Sequence, residues 1–178
     1  SISGASSSPS PVSRRILITG APGFIGTHLT TRLLRDGDQV VGFDNFDPFY
    51  DVAIKRRNVE RLREIGGDSF SLIGGDLRDA DACAAAVDGV DGIVHLAALA
   101  GVRPSIQDPV RYMDVNVRGT QILLDAWQNV AAGTSRPFVF GSSSSVYGGN
   151  EKVPFSEDDP VNNPVSPYAA SKRAGELL

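Results

Sequence analysis

The stretch that decides the fold is RILITGAPGFIG, residues 15–26, in which a short apolar run leads into three glycines spaced three residues apart. The apolar run predicts a buried strand, and the residues that follow predict a helix. At such a junction Gly20 allows a tight turn, Gly23 leaves room for a phosphate beside bare backbone, and Gly26 lets the helix pack closely on the strand. The amides at the helix start add attraction for phosphate. The stretch therefore predicts a phosphate-binding loop.

Beyond this loop, short apolar runs alternate with longer amphipathic segments. The predicted strands are 15–19, 39–43, 70–73, 92–96 and 137–140. The predicted helices are 24–36, 51–65, 80–87 and 110–130, and a further helix begins near Tyr168. Nearly continuous apolar strands are typical of a parallel sheet that is buried on both faces. The alternation predicts an α/β fold, a Rossmann-like doubly wound parallel sheet in three layers.

Length and composition bound the class of protein. The 178 residues are 41% hydrophobic and 21% charged, which suits one globular domain. A formal net charge of -4 argues against a broad electrostatic grip on nucleic acid or on an anionic membrane. No apolar run approaches the ~18–20 residues of a membrane-spanning helix, so we predict no membrane segment. The single cysteine, Cys83, fits a reducing compartment, and we expect a cytoplasmic protein. His28 and His95 are too few to predict a metal site.

The two ends of the chain differ from its middle. Residues 1–13 are rich in serine and proline and have almost no apolar content, so we predict a disordered leader, a linker or a cloning remnant there. We predict one domain over residues 14–178. We expect it to be incomplete at its C-terminus, because the helix that begins near Tyr168 has barely started where the sequence stops.

Two acidic residues follow predicted strands on the side where a ligand of the glycine loop would lie. Asp44 ends the second strand about 20 residues past that loop, where a carboxylate accepts hydrogen bonds from both hydroxyls of an adenosine ribose. Such a carboxylate repels a 2′-phosphate and therefore favours NAD over NADP, although a turn aspartate before Asn45 is the alternative. Asp76, which precedes Leu77, would accept from the adenine amino group. The alternative role for Asp76 is to cap the helix that starts at residue 80.

Tyr168 and Lys172 follow Pro167, at the predicted start of a helix, and lie one turn apart on the same helix face. A neighbouring ammonium stabilises a phenolate, which makes Tyr168 a candidate base for a substrate hydroxyl. An amphipathic surface helix is the alternative reading of this spacing. Four serines, 142–145, follow the strand at 137–140. Hydroxyls at the carboxyl end of such a strand face the crevice where ligands bind, so one of these serines could hydrogen-bond a reacting oxygen. We expect the other three only to form the turn.

Together, the glycine loop, Asp44, the serine run and the Tyr168–Lys172 pair resemble the extended short-chain dehydrogenase/reductase family, in its NAD-dependent nucleotide-sugar epimerase and dehydratase branch. Segments 44–50 and 100–105 look most like those of UDP-glucuronate 4-epimerases, and UDP-glucose-type 4-epimerases are close. The resemblance implies that NAD is bound by Gly20, Gly23, Phe24, Ile25, Gly26, Asp44, Asn45, Asp76, Leu77, Leu96, Ala97, Ala98, Asn116, Tyr168 and Lys172. It implies a catalytic set of Ser143, Tyr168 and Lys172, and substrate contacts from Arg103, Ser143 and Tyr168.

The resemblance also implies a reaction on a UDP-sugar. Tyr168 would take the proton of the C4 hydroxyl while hydride passes to NAD, and the 4-keto sugar would rotate and take the hydride back on its other face. The dehydratase branch has Asp-Glu after the catalytic hydroxyl, where Ser144 and Ser145 stand here, which disfavours dehydration. The alternatives are a UDP-sugar decarboxylase or 4,6-dehydratase of the same branch, or a non-catalytic NAD-binding sensor or interaction module.

The family's architecture adds two expectations about the whole molecule. Because relatives are nearly twice as long, we expect this chain to stop before the last strands and the substrate domain. Relatives pair through the helices that correspond to residues 110–130 and 168–178, so we expect a homodimer through these two segments.

Overall fold

The computed structural model describes residues 12–178, so residues 1–11 of the predicted leader lie outside the described part. Five parallel strands form one sheet: β1 Arg15–Thr19, β2 Gln39–Asp44, β3 Phe70–Gly74, β4 Gly92–His95 and β5 Phe138–Phe140. Their order across the sheet is β3-β2-β1-β4-β5. In register, Ile16 of β1 lies opposite Val40 on one side and Gly92 on the other. The order reverses direction between β1 and β4, which confirms the predicted doubly wound sheet.

Seven α-helices connect and flank the strands in residues 12–178. They are α1 Phe24–Arg35, α2 Val52–Gly66, α3 Ala80–Val87, α4 Val102–Gln107, α5 Pro109–Tyr112, α6 Gly119–Ala131 and α7 Pro167–Leu177. A π-helical segment, Met113–Arg118, joins α5 to α6. The single helix predicted over 110–130 is therefore one helical run with a wider turn inside it. Helix α4 was not predicted, because six residues are too few to show a hydrophobic period.

Apolar clusters fill both spaces between sheet and helices. Side chains alternate along a strand, so Leu17 faces one layer while Ile16 and Ile18 face the other. On the first face Leu123 of α6 joins the cluster of Leu17, and on the second Leu62 of α2 joins that of Ile18. The sheet between two helical layers confirms the predicted three-layer architecture.

Capping side chains set where the helices around the sheet edge begin. Asp51 precedes α2 and accepts a hydrogen bond from the backbone amide of Ala53. Asp79 precedes α3 and accepts from the amides of Asp81 and Ala82. Because Asp79 fills this position, the alternative prediction that Asp76 caps the helix at residue 80 is wrong.

All strands run in the same direction, so the loops at their carboxyl ends gather at one edge.

Candidate functional site

An open cleft of about 760 Å³ lies at the carboxyl edge of the sheet. Residues from the loops after all five strands line it, together with residues of α2 and α7. Among the predicted site residues, those in the lining are Gly20, Gly23, Phe24, Ile25, Gly26, Asp44, Asn45, Asp76, Leu77, Leu96, Ala97, Ala98, Tyr168 and Lys172. Asn116, Ser143 and Arg103 are not in the lining. The fold therefore gathers most of the predicted residues, from distant parts of the chain, around one space.

The glycine loop lies where β1 passes into α1. Gly20 has a φ of +72°, in the left-handed region that glycine adopts without strain. A Cβ atom on Gly26 would overlap the carbonyl oxygen of Gly20 and come within 2.8 Å of the Ala21 Cα atom. Helix α1 can therefore start this close to the loop only because residue 26 has no side chain. Phe24 is 81% exposed and lies in the cleft lining.

Asp44 forms a buried ion pair that the sequence reading missed. Its Oδ1 atom accepts from the Lys55 Nζ atom at 2.9 Å and from the Phe46 amide at 2.7 Å. Asp44 is 6% exposed and Lys55 is 9% exposed. The turn role considered for Asp44 thus holds for one oxygen, while its Oδ2 atom has no hydrogen-bond partner among residues 12–178. Lys55 could have been noticed, because it shares the buried stripe of α2 with Val59 and Leu62.

Asp76 has all its acceptor positions occupied. Its Oδ1 atom accepts from the backbone amide and Nε of Arg78, and its Oδ2 atom accepts from Arg78 Nη2 and Asn45 Nδ2. The Arg78 guanidinium beside Asp76 holds the pKa of that carboxyl well below its usual range. A carboxylate offers about four acceptor sites. An adenine amino group could therefore bind Asp76 only by displacing one donor, and Asn45 is the exposed one.

Tyr168 and Lys172 lie one turn apart on α7 and both line the cleft. Lys172 is 5% exposed, and its Nζ atom donates to the Gly141 carbonyl oxygen at 2.6 Å. Burial lowers the pKa of Lys172 to about 8. The Tyr168 ring meets the ring of Tyr112 edge-on, with 6.3 Å between the centroids. A phenol and a buried amine thus face the same space as the glycine loop.

Ser142 and Ser143, which follow β5, form hydrogen bonds with different partners. Ser142 lines the cleft, and its Oγ atom donates to Glu176 of α7 at 2.5 Å. Ser143 instead caps a short 3₁₀ turn, Ser144–Tyr147, by accepting from the Ser145 amide at 3.2 Å. Ser143, the residue predicted to be catalytic, is half-buried beside the cleft rather than in its lining.

Asn116 and Arg103 have structural surroundings that differ from the expected ligand contacts. Asn116 is buried in the π-helical segment, where its side chain accepts from the Leu99 amide and donates to the Leu99 carbonyl oxygen and to Ser171 Oγ. It therefore ties the loop after β4 to α7. Arg103 lies exposed in the first turn of α4. Neither side chain could be placed from its sequence neighbourhood, because both positions depend on how the helices pack.

Residues 12–178 lack a membrane-spanning helix and a metal-binding cluster. No helix there combines the length and the apolar character needed to cross a membrane. Over the same residues, no three side chains of His, Cys, Asp or Glu come together in a group that could hold a metal ion. Cys83 is buried, and its thiol donates to the carbonyl oxygen of Leu77.

Comparison with known proteins decides the family. The model of the GDP-mannose 4,6 dehydratase family matches residues 17–178. The chain belongs to this family. That membership confirms the resemblance to nucleotide-sugar epimerases and dehydratases that the motifs carry, since the relatives below are epimerases by name.

Similar proteins span more sequence than this chain does. The chain is 45% identical over 165 residues to UDP-glucuronate 4-epimerase 1 of Arabidopsis thaliana. The aligned residues cover 92% of the chain and 37% of that protein. The chain is 41% identical over 166 residues to the probable UDP-glucuronate 4-epimerase of Rhizobium meliloti, covering 92% and 47%. The crystal structure of UDP-glucuronic acid 4-epimerase from Bacillus cereus, in complex with UDP-glucuronic acid and NAD, superposes with a TM-score of 0.80 at 35% identity, covering 92% and 50%. The chain thus spans half or less of these family relatives.

Proposed function

We propose that this chain is the NAD-binding part of a nucleotide-sugar 4-epimerase whose substrate is UDP-glucuronate. One observation carries the proposal: Tyr168 and Lys172 line the same cleft as the glycine loop and Asp44. A base for a sugar hydroxyl and a site for a dinucleotide therefore share one space. The names of the similar Arabidopsis and Rhizobium proteins support the choice of UDP-glucuronate.

The cleft has the groups that NAD requires. Gly23 has no side chain to obstruct a pyrophosphate, and the start of α1 offers backbone amides to it. The unpartnered Oδ2 atom of Asp44 is suited to accept from ribose hydroxyls. Leu96 and Ala97 add apolar surface to the lining. NAD, when bound, would supply a hydride acceptor that later returns the hydride to the sugar.

Side chains of this protein would accept the proton of the sugar hydroxyl. Tyr168 accepts the proton of the C4 hydroxyl of the sugar, and Lys172 is the cation that favours its phenolate form. With a pKa of about 8, Lys172 is mostly an ammonium at pH 7. Ser143, at the turn that follows β5, would orient the sugar oxygen after giving up its bond to the Ser145 amide. We assign these roles as proposals that mutation can test.

A 4,6-dehydratase is the second candidate, since the matching family model carries that name. Dehydration needs an acid and a base beyond the tyrosine, because a hydroxyl must leave from C6 while a proton leaves C5. The two residues after Ser143 are Ser144 and Ser145, which have no carboxylate to serve as that acid or base. This favours epimerisation over dehydration.

A proton NMR time course tests the proposal. The full-length protein that contains this NAD-binding part is incubated with NAD and UDP-glucuronate, and in a parallel sample with UDP-glucose. New galacto-type anomeric signals from UDP-glucuronate are the expected result. Loss of the sugar carboxylate would instead identify a decarboxylase, and a 4-keto-6-deoxy product would identify a dehydratase. A folded protein that binds NAD and converts neither sugar would overturn the proposed activity.

We also propose that the active protein is a homodimer. The helical run from α5 to α6 leaves Val110 76% exposed and Met113 partly exposed, and Leu177 of α7 is exposed as well. These apolar side chains lie on the two segments through which pairing is expected. Sedimentation equilibrium should give twice the chain mass, and Val110→Glu should shift the protein to a monomer. A monomeric wild-type protein would contradict this proposal.

A further inference from the structure

A buried histidine outside the proposed chemistry links three elements of the fold. His95 ends β4, and its Nδ1 atom lies 2.6 Å from the Thr19 Oγ1 atom at the end of β1. Its Nε2 atom lies 2.9 Å from the Thr120 Oγ1 atom on α6. The ring is also flanked by Phe138 and Phe140, with centroids 6.0 and 5.9 Å away.

The donors and acceptors around His95 determine the direction of each hydrogen bond in the series that runs from Thr19 to Asn116. Thr19 Oγ1 accepts from the backbone amides of Leu96 and Ala97, both at 3.0 Å, which uses both of its acceptor positions. Its single hydrogen must therefore go to Nδ1 of His95. The neutral ring then carries its own hydrogen on Nε2 and donates it to Thr120, which in turn donates to the Asn116 carbonyl oxygen at 2.6 Å.

Burial and charge keep the ring in this neutral form. His95 is 1% exposed, and the loss of solvent is the main cause that lowers its pKa to about 3, with the Lys172 charge adding to it. A proton on Nδ1 would also face the hydrogen of Thr19 across 2.6 Å. His95 is therefore a fixed acceptor rather than an acid or a base at neutral pH.

The Thr19 hydroxyl lies between two segments of the cleft lining. Gly20 follows it directly, and Leu96 and Ala97 are the residues whose amides it accepts from. A Cβ atom on Gly20 would stand 3.1 Å from the Ala97 nitrogen, so the two segments are already close. Without an acceptor at Nδ1, the Thr19 hydroxyl would have to rotate its hydrogen toward another acceptor. It would then lose one of the two hydrogen bonds that it accepts from the Leu96 and Ala97 amides.

We propose that His95 is a positioning residue for the dinucleotide: by accepting the Thr19 hydrogen, it holds the Leu96 and Ala97 amides and the Gly20 turn at the spacing that the cofactor needs. This inference rests on the proposed function, because it assumes that the dinucleotide occupies this cleft. It concerns cofactor affinity and assigns His95 no contact with the reacting atoms.

The test measures NAD affinity by isothermal titration calorimetry on the 178-residue chain. His95→Leu removes the acceptor and should raise the Kd for NAD about tenfold, the effect of one lost hydrogen bond. His95→Asn keeps an amide oxygen near the place of Nδ1 and should bind NAD nearly as the wild type does. If the leucine variant does not fold, Thr19→Val and Thr19→Ser give the same comparison, because only serine keeps the hydroxyl.

Two controls separate positioning from loss of stability. Thr30 is buried like Thr19, and its hydroxyl is the only buried side-chain polar atom without a hydrogen-bond partner in the described part of the chain, so Thr30→Val should leave the Kd unchanged. Leu123→Ala in the buried core should lower the unfolding free energy without raising the Kd. If Leu123→Ala weakened NAD binding as much as His95→Leu, general destabilisation would explain both results and the inference would be wrong.

An NMR measurement checks the hydrogen positions directly. A two-bond proton–nitrogen correlation spectrum of the wild-type chain should show the His95 ring with its hydrogen on Nε2, and a hydrogen on Nδ1 would overturn the inference. If the wild-type chain binds NAD and His95→Leu binds it with the same Kd, the positioning role is refuted while the proposed cofactor is not. A folded wild-type chain that does not bind NAD would refute both this inference and the proposed cofactor.

Discussion

The Nζ atom of Lys172 donates to the carbonyl oxygen of Gly141 at 2.6 Å, which places a buried amine of α7 at the end of β5. No carboxylate of residues 12–178 forms an ion pair with it. A charge in this position costs free energy in the unliganded protein. In the proposed function this charge would favour the phenolate form of Tyr168, which would account for a buried amine at the cleft.

We predict that Lys172→Met stabilises the unliganded protein at pH 7. The pKa of Lys172 is about 8 in the folded state against the ordinary 10.5, so from pH 8 to 10.5 the unfolded state binds more protons. The unfolding free energy of the wild type therefore rises with pH through this window, by about 3 kcal/mol relative to the variant. Urea denaturation of both proteins at pH 7 and pH 10 measures it. If the difference in unfolding free energy between the two proteins is the same at pH 7 and pH 10, the prediction is contradicted.

If the proposed function is correct, Tyr168→Phe in the full-length protein should abolish epimerisation while the protein still binds NAD. The change removes the hydroxyl that would take the proton, and general-base catalysis is worth about 10²–10⁴-fold in rate. Tyr147→Phe is the matched control, because the Tyr147 hydroxyl donates to the Ser156 carbonyl oxygen and Tyr147 is outside the cleft lining. NMR turnover assays and NAD titrations on both variants distinguish the roles. Substantial turnover by Tyr168→Phe would exclude Tyr168 as the base.

The Asp44–Lys55 pair should show strong coupling in a double-mutant cycle. Lys55→Met leaves the Asp44 carboxylate buried without its cation, which should cost about 3 kcal/mol of unfolding free energy. Adding Asp44→Asn removes the unpaired charge, so the double variant should be more stable than the two single effects predict together. Chemical denaturation of the four proteins gives the coupling free energy. Simple additivity would mean that the pair contributes nothing beyond its two separate side chains.

Gly26→Ala should destabilise the protein and weaken NAD binding together. The added methyl would overlap the Gly20 carbonyl oxygen, and because backbone cannot move away as a flexible side chain can, α1 or the loop must shift. Overpacking of this kind costs about 1–3 kcal/mol. Gly74→Ala is the control, since a methyl at that position meets nothing within 4 Å. Thermal unfolding and NAD titration should leave the control variant close to the wild type.

The fold could be predicted from local patterns. Strand β1 and helix α3 have the predicted bounds, and the other predicted strands and helices are found within one or two residues of theirs, because apolar runs and glycine turns act within a few neighbouring residues. Cleft residues next to strand ends, such as Asp44, could be predicted for a related reason. Parallel strands bring their carboxyl ends to one edge regardless of the loops between them.

Contacts between distant segments could not be predicted. Lys55 of α2 donates to Asp44, and the Arg78 guanidinium that occupies the Asp76 oxygens also binds Asp114, which lies in the π-helical segment. Asn116 turns inward because the π-helical segment places it against Leu99. Each of these pairings depends on three-dimensional packing, which residue type and spacing do not encode.

The common direction of the strands gives the protein two ends with different tolerance for engineering. Glycines with positive φ mark turns at the amino-terminal ends of the strands, Gly37 before β2 and Gly133 before β5, and neither has a neighbour that a methyl would meet. Both turns are exposed and lie at the opposite end of the sheet from the cleft. A fluorophore or an immobilisation tag attached at the exposed Ser135, two residues after Gly133, would therefore leave access to the cleft free and keep glycine at the positive φ, so this turn suits fixing the protein to a biosensor surface.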